Sequence, residues 1–168
     1  DLLVRDLQIP GNPRVLDVGC GTRISTFQLM QRIRGKGEFY GIDISQKMLD
    51  LARARAADLG YANVEFNKGD AERLDFPESS FDLVISNQAF FFFSDKQKAL
   101  SEMFRVLRPT GQTALLFFAE PSLKEIKEIY VKVMNRHTKY VTPKKSLKLI
   151  SLEDTHELFD RSGFKKTR

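Results

Sequence analysis

Five short apolar runs, separated by longer stretches of helical periodicity, leave this chain few architectures to adopt. The runs fall at residues 14–18, 38–42, 64–68, 81–86 and 113–118. Two of them contain uninterrupted apolar segments, Leu83-Val84-Ile85 and Leu115-Leu116-Phe117-Phe118. A strand apolar at consecutive positions has no face to offer water, so it belongs inside a sheet covered on both sides. Strands that alternate with helices give parallel neighbours joined by right-handed crossovers. The expected fold is therefore α/β, a doubly wound and mostly parallel sheet, built as one helix followed by five βα-type units.

The helices are read from apolar positions three or four residues apart. Met48, Ala52, Ala56 and Leu59 make one stripe, and Ala99, Leu100, Met103, Phe104 and Leu107 make another. Ser94 with Gln97 reads as the capping box of the second helix, and Pro109 with Gly111 as its stop. Pro121-Ser122-Leu123-Lys124-Glu125 opens a further helix expected to reach about Thr138, with Tyr130 and His137 on its apolar side. Ser151 and Asp154 begin a last helix that ends near Gly163, and residues 164–168 would start a sixth strand.

Composition narrows the classes further. The 168 residues suffice for one domain with one core. A single cysteine, Cys20, excludes a disulfide framework and a multi-cysteine zinc site. No apolar run approaches the roughly 18 residues of a membrane span, and the first residues lack a signal-peptide pattern. A cytoplasmic setting is expected. The net charge of +5 is concentrated late, because residues 121–168 carry 12 Lys/Arg against 6 Asp/Glu. Such a balance suits either solvated helix faces or a nucleic-acid partner. No His/Cys/Asp cluster has metal-ligand spacing, and no Ser-His-Asp arrangement is apparent.

The first strand runs directly into Asp17-Val18-Gly19-Cys20-Gly21-Thr22-Arg23 and then a helix. Glycines permit a tight turn and close approach of a ligand, and a helix N-terminus offers N–H groups to an anionic group such as a carboxylate. Asp43 ends the second strand about two dozen residues after Gly19, where a carboxylate can accept both ribose hydroxyls. Asp43 can instead cap the helix that begins at Ser45. Together these features fit either NAD or S-adenosylmethionine. The third glycine of the dinucleotide fingerprint would fall at Ile24, a departure that counts against NAD.

The segment Val15-Leu16-Asp17-Val18-Gly19-Cys20-Gly21-Thr22 resembles the first motif of class I S-adenosylmethionine-dependent methyltransferases. Gly69-Asp70-Ala71-Glu72, Phe76-Pro77 and Phe81-Asp82-Leu83-Val84 resemble that family's next segments, and Arg105-Val106-Leu107-Arg108-Pro109 with Gly111 the turn before its fifth strand. The resemblance covers about residues 13–118 and is nearest the branch of ubiquinone and menaquinone biosynthesis. It implies a single Rossmann-like methyltransferase domain over residues 1–168. The cofactor core would occupy about 13–118, an acceptor-side helical segment about 121–150, and the C-terminal β-hairpin would be incomplete.

The resemblance also implies site roles. S-adenosylmethionine would be the cofactor and S-adenosylhomocysteine its product. Gly19 and Gly21 would lie under the methionine moiety, Cys20 between them would also be cofactor-binding, and Asp17 would orient that loop or bind the methionine amino group. Asp43 would hold the ribose, with Ile44 and Met48 against adenine. Asp70 and the Ala71 backbone would meet the adenine edge, and Asn87 beside Ser86 the sulfonium end. On the acceptor side, Phe90, Phe91, Tyr130 and His137 are the candidates.

Two departures matter. Arg23 stands where many relatives have a glycine, and Asn87-Gln88-Ala89-Phe90-Phe91-Phe92-Phe93 lacks the histidine that relatives often place near Phe91 or Phe92. The same segment lacks the Asn/Asp-Pro-Pro-aromatic tetrapeptide of amino-methylating nucleic-acid enzymes. The expected activity is methyl transfer to a small, partly apolar acceptor. The alternatives are a nucleic-acid methyltransferase that uses the basic C-terminal region and a non-catalytic S-adenosylmethionine-binding module. An NAD-dependent oxidoreductase stands behind both.

Overall fold

The computed structural model describes residues 7–22, 24–117 and 150–165. In chain order the elements are β1 (Arg14–Val18), α1 (Ile24–Arg32), β2 (Glu38–Asp43), α2 (Gln46–Asp58), β3 (Val64–Lys68) and β4 (Phe81–Asn87). A 3-10 turn (Phe90–Phe92), α3 (Lys96–Val106), β5 (Leu107–Leu116) and α4 (Leu152–Arg161) follow. The five strands form one sheet in the order β3-β2-β1-β4-β5, and every pairing is parallel.

The consecutive apolar residues of the strands are explained by two cores, one on each face of the sheet. Val15, Leu83 and Ile85 pack with Leu29 and Met30 of α1 and with Leu49, Ala52 and Ala56 of α2. Their strand neighbours Leu16, Val18 and Val84 pack on the other face with Leu100, Met103 and Val106 of α3 and Phe159 of α4. Each strand thus divides its side chains between the faces with a period of two. The doubly wound reading holds.

Helix details differ from the sequence expectation at several points. On α2 the buried stripe is Leu49, Ala52 and Ala56, while Met48 is 40% and Leu59 47% exposed. The cap of α3 is Asp95, which accepts from the Lys98 N–H at 2.9 Å. Gln97 is not part of a capping box; its amide donates to Ser162 Oγ at 2.5 Å and ties α3 to the end of α4. Ser151 does cap α4, accepting from the Asp154 N–H at 2.9 Å. β5 begins at Leu107, and a register shift separates the Phe81–Leu107 pairing from the Leu83–Gln112 pairing. Pro109 and Gly111 therefore sit in an irregular strand start, where a missing N–H and a small residue are tolerated.

The β3-to-β4 connection lacks the expected helix. Residues 70–80 run as turns with one isolated bridge between Asp70 and Arg73. Their backbone is held by α3 instead. Arg105 donates to the carbonyls of Leu74 and Phe76 at 2.8 Å each, and Glu102 accepts from the Leu74 N–H at 2.8 Å. No helix precedes β1 in residues 7–13, and Phe164 and Lys165 form no strand. The helix expected over 122–138 lies outside the described residues.

Candidate functional site

In the order 3-2-1-4-5 the chain leaves β1 toward one edge of the sheet and returns to β4 on its other side. The carboxyl ends of these two strands frame the crevice in which doubly wound proteins bind ligands. A cleft of about 670 Å³ opens there.

Its floor is the glycine loop. Gly19 has φ +69°, and a Cβ there would come within 2.4 Å of the Ala89 Cβ. Conformation and space therefore both require glycine. Gly21 also has positive φ, at +50°. The loop is fastened to β2: the Cys20 N–H donates to the Ile42 carbonyl at 2.9 Å, and the Gly21 N–H to Asp43 Oδ2 at 2.8 Å. Asp43 Oδ1 accepts from the Ser45 N–H at 2.9 Å. Asp43 thus joins the loop to the start of α2, and each oxygen keeps a further lone pair for a ligand hydroxyl. Asp17, 2% exposed, accepts from the Thr26 hydroxyl and fixes β1 to α1.

The remaining walls come from the ends of β3 and β4. The Gly69 N–H donates to the Asp43 carbonyl at 3.1 Å. Asp70 Oδ1 accepts from the Glu72 N–H, and Glu72 Oε1 from the Asp95 N–H. Asn87 Nδ2 donates to Ser25 Oγ. Ile44, 73% exposed, and Met48 put apolar surface at the cleft mouth. Among the described residues, the charged side chains on the wall are Asp17, Asp43, Asp70 and Glu72. Every one is a carboxylate.

The structure brings all ten expected cofactor-side residues, Asp17, Gly19, Cys20, Gly21, Asp43, Ile44, Met48, Asp70, Ala71 and Asn87, to this one cleft. The aromatic run is arranged differently from expectation. Phe90 has no exposed surface and packs in the core with Leu100 and Met103. Phe91 is half-buried and off the cleft wall, whereas Phe92 and Phe93 line it, with Phe92 68% exposed. A 3-10 turn rotates successive residues by about a third of a circle, so one anchor inward places another ring outward. Tyr130, His137 and Arg23 lie outside the described residues. Sequence reasoning missed Ser25 and Gln88, both on the wall. The signal for Gln88 is conformational, φ +57° in a non-glycine residue, and no spacing reveals that. Among the described residues no acid, His or Cys cluster could hold a metal ion.

This geometry has counterparts. A family model described as "Methyltransferase domain" matches residues 10–161. The demethylmenaquinone methyltransferase of Listeria monocytogenes serotype 4a (strain HCC23) is 32% identical over 137 residues, 82% of this chain and 56% of its own length. The enzyme of the same name from Geobacillus kaustophilus (strain HTA426) is 33% identical over 128 residues, 76% of this chain and 55% of its own length. The chain thus spans just over half the length of these curated relatives. The YcgJ protein from Bacillus subtilis superposes with a TM-score of 0.76 at 29% identity, covering 96% of this chain and 65% of that one.

Proposed function

Since this chain belongs to the class I S-adenosylmethionine-dependent methyltransferases, we propose that its cleft holds S-adenosylmethionine and directs the methyl group onto a small, partly apolar acceptor of quinone type. The observation that carries this reading is the cleft wall, on which the charged groups among the described residues are all carboxylates. Such a wall favours a cationic sulfonium cofactor over a dinucleotide with its anionic pyrophosphate. The glycine loop argues the same way. Its Cys20 and Gly21 N–H groups, which a pyrophosphate would need, are already given to Ile42 and Asp43.

When bound, S-adenosylmethionine supplies an electrophilic methyl group on sulfur and leaves as a neutral thioether. In this reading Asp43 holds the ribose hydroxyls while keeping the loop in place. Asp70 and Ala71 meet the adenine edge, with Ile44 and Met48 on its faces. Gly19 allows the methionine portion to lie against the backbone, and Asn87 stands beside the sulfur. Phe92 and Phe93 form the apolar side, where the acceptor would lie and water would be excluded. The described wall carries no His. Holding the acceptor atom in line with the bond that breaks contributes to the rate, by up to roughly 7–11 kcal/mol in favourable cases.

The quinone-type acceptor rests on the likeness to the two demethylmenaquinone methyltransferases and on the exposed aromatic wall. A polyanionic acceptor would have to approach the same carboxylates, so the described wall weighs against the nucleic-acid reading. The test is calorimetric titration with S-adenosylmethionine, S-adenosylhomocysteine and NAD. Binding of the two sulfur ligands without NAD is expected. Folded protein that takes neither sulfur ligand would overturn the proposal.

A further inference from the structure

Among the described residues, Asn87 Oδ1 and Gln88 Oε1 are buried on the cleft wall without a hydrogen-bond partner. A buried acceptor left unpaired is disfavoured, and native structures rarely keep one without a use. Gln88 carries a second cost. Its φ of +57° is left-handed backbone, held by its own N–H donating to the Leu116 carbonyl at 2.7 Å. Glycine would take that conformation without strain and asparagine with less. Were the turn out of β4 the only requirement, a long carboxamide would add nothing. Strain and an unpaired polar group at one cleft residue point together to a ligand contact.

The neighbouring groups indicate which ligand. Phe90 anchors the following 3-10 turn in the core, and Ala89 sits tight against Gly19. The turn therefore presents Phe92 from a fixed base, its ring 4.3 Å from that of Phe91. Phe92 lines the same cleft as the two amides. The terminal torsion of a glutamine is broad, so Oε1 can swing from its closed position toward the cleft. Asn87 is less free, because its Nδ2 is committed to Ser25.

Building on the methyl-transfer reading of this cleft, we propose that Gln88 is a specificity-determining residue: its carboxamide oxygen accepts a hydrogen bond from a hydroxyl or amino group of a neutral acceptor lying on Phe92. The contact selects for the donor on the acceptor and fixes its orientation toward the sulfur.

The experiment uses 1-naphthol and 1-methoxynaphthalene, which share a ring system and differ in the donor. Their binding is measured by calorimetry on protein saturated with S-adenosylhomocysteine. Wild-type protein is expected to prefer the naphthol by about tenfold. Gln88→Met, close in shape but without the amide, should lose that preference, with methoxynaphthalene affinity and S-adenosylhomocysteine affinity within about twofold of wild type. Gln88→Glu, which can accept but not donate, should keep the preference. A preference that survives Gln88→Met, or is lost in Gln88→Glu, overturns the assignment. So does wild-type protein that binds S-adenosylhomocysteine but shows no preference between the probes. Failure to bind S-adenosylhomocysteine would overturn the underlying methyl-transfer reading itself.

Discussion

At Gly19 the backbone and the neighbouring turn make the same demand independently. An alanine there would carry left-handed φ and also press its methyl group to 2.4 Å from the Ala89 Cβ. The first cost is about 1 kcal/mol or more, and relief of the second would require the β4 exit or the loop to shift. Gly19→Ala is therefore expected to lower stability by roughly 2–4 kcal/mol in urea unfolding. Because Ala89 leads into the turn bearing Phe92, the variant should weaken S-adenosylmethionine binding at least tenfold under conditions where it remains folded. Gly21→Ala, with positive φ but open space around it, should be milder on both counts. Equal effects at the two positions would show that the Ala89 contact is unimportant. This distinction was not legible in the sequence, which presents two equivalent glycines. The neighbour that separates them lies 70 residues away in the chain.

Between elements, the irregular connection over residues 70–80 depends on the Glu102–Arg105 pair of α3, whose closest approach is 2.7 Å. Both side chains are half-buried, and together they satisfy three backbone groups of that connection. The Arg105 hydrogen bond, assisted by the Leu74 N–H, holds the Glu102 carboxyl below its ordinary value of 4.5. The folded state thus binds this proton less readily than the unfolded chain. The stabilisation is fully present above about pH 4.5 and is lost as the pH falls toward the lower folded value. Glu102→Gln should lower stability at neutral pH, and its stability should fall less steeply than that of wild type as the pH drops below about 4.5. Parallel loss in both proteins, followed by denaturant unfolding across that range, would remove Glu102 from the acid response. The sequence had marked this helix by its apolar spacing and placed its cap one residue early. Periodicity locates a buried face, but it does not choose between Ser94 and Asp95 as the residue whose side chain meets the free N–H groups. The same limit applies to α2. Met48 and Leu49 are both apolar and adjacent, and packing against β1 and β2 selects Leu49 for the core, leaving Met48 to the cleft.

Across the molecule, the features that proved legible are those imposed by the sheet. Uninterrupted apolar runs require two covered faces, and a glycine loop followed by an acid at the next strand end requires a shared crevice. Asp70, Ala71 and Asn87 reach that crevice because parallel strands deliver all their carboxyl ends to one edge. The aromatic run was less legible, because a 3-10 turn and a left-handed residue decide which of four consecutive phenylalanines face the cleft. Charge is the other property that emerges only in three dimensions. The chain as a whole carries +5, yet the charged groups on the described cleft wall are all carboxylates. Local field, rather than net charge, acts on a bound sulfonium. Loss of the methyl group removes that positive charge, so S-adenosylhomocysteine should feel the carboxylates less. Raising the salt from about 0.1 to 1 M shortens the screening length from roughly 10 to 3 Å. S-adenosylmethionine affinity is therefore expected to fall several-fold over this range while S-adenosylhomocysteine affinity changes by less than half as much. Calorimetric titration of both ligands at the two salt concentrations measures the difference. Identical salt dependence would mean that the acidic wall acts through hydrogen bonds alone and does not distinguish substrate from product by charge.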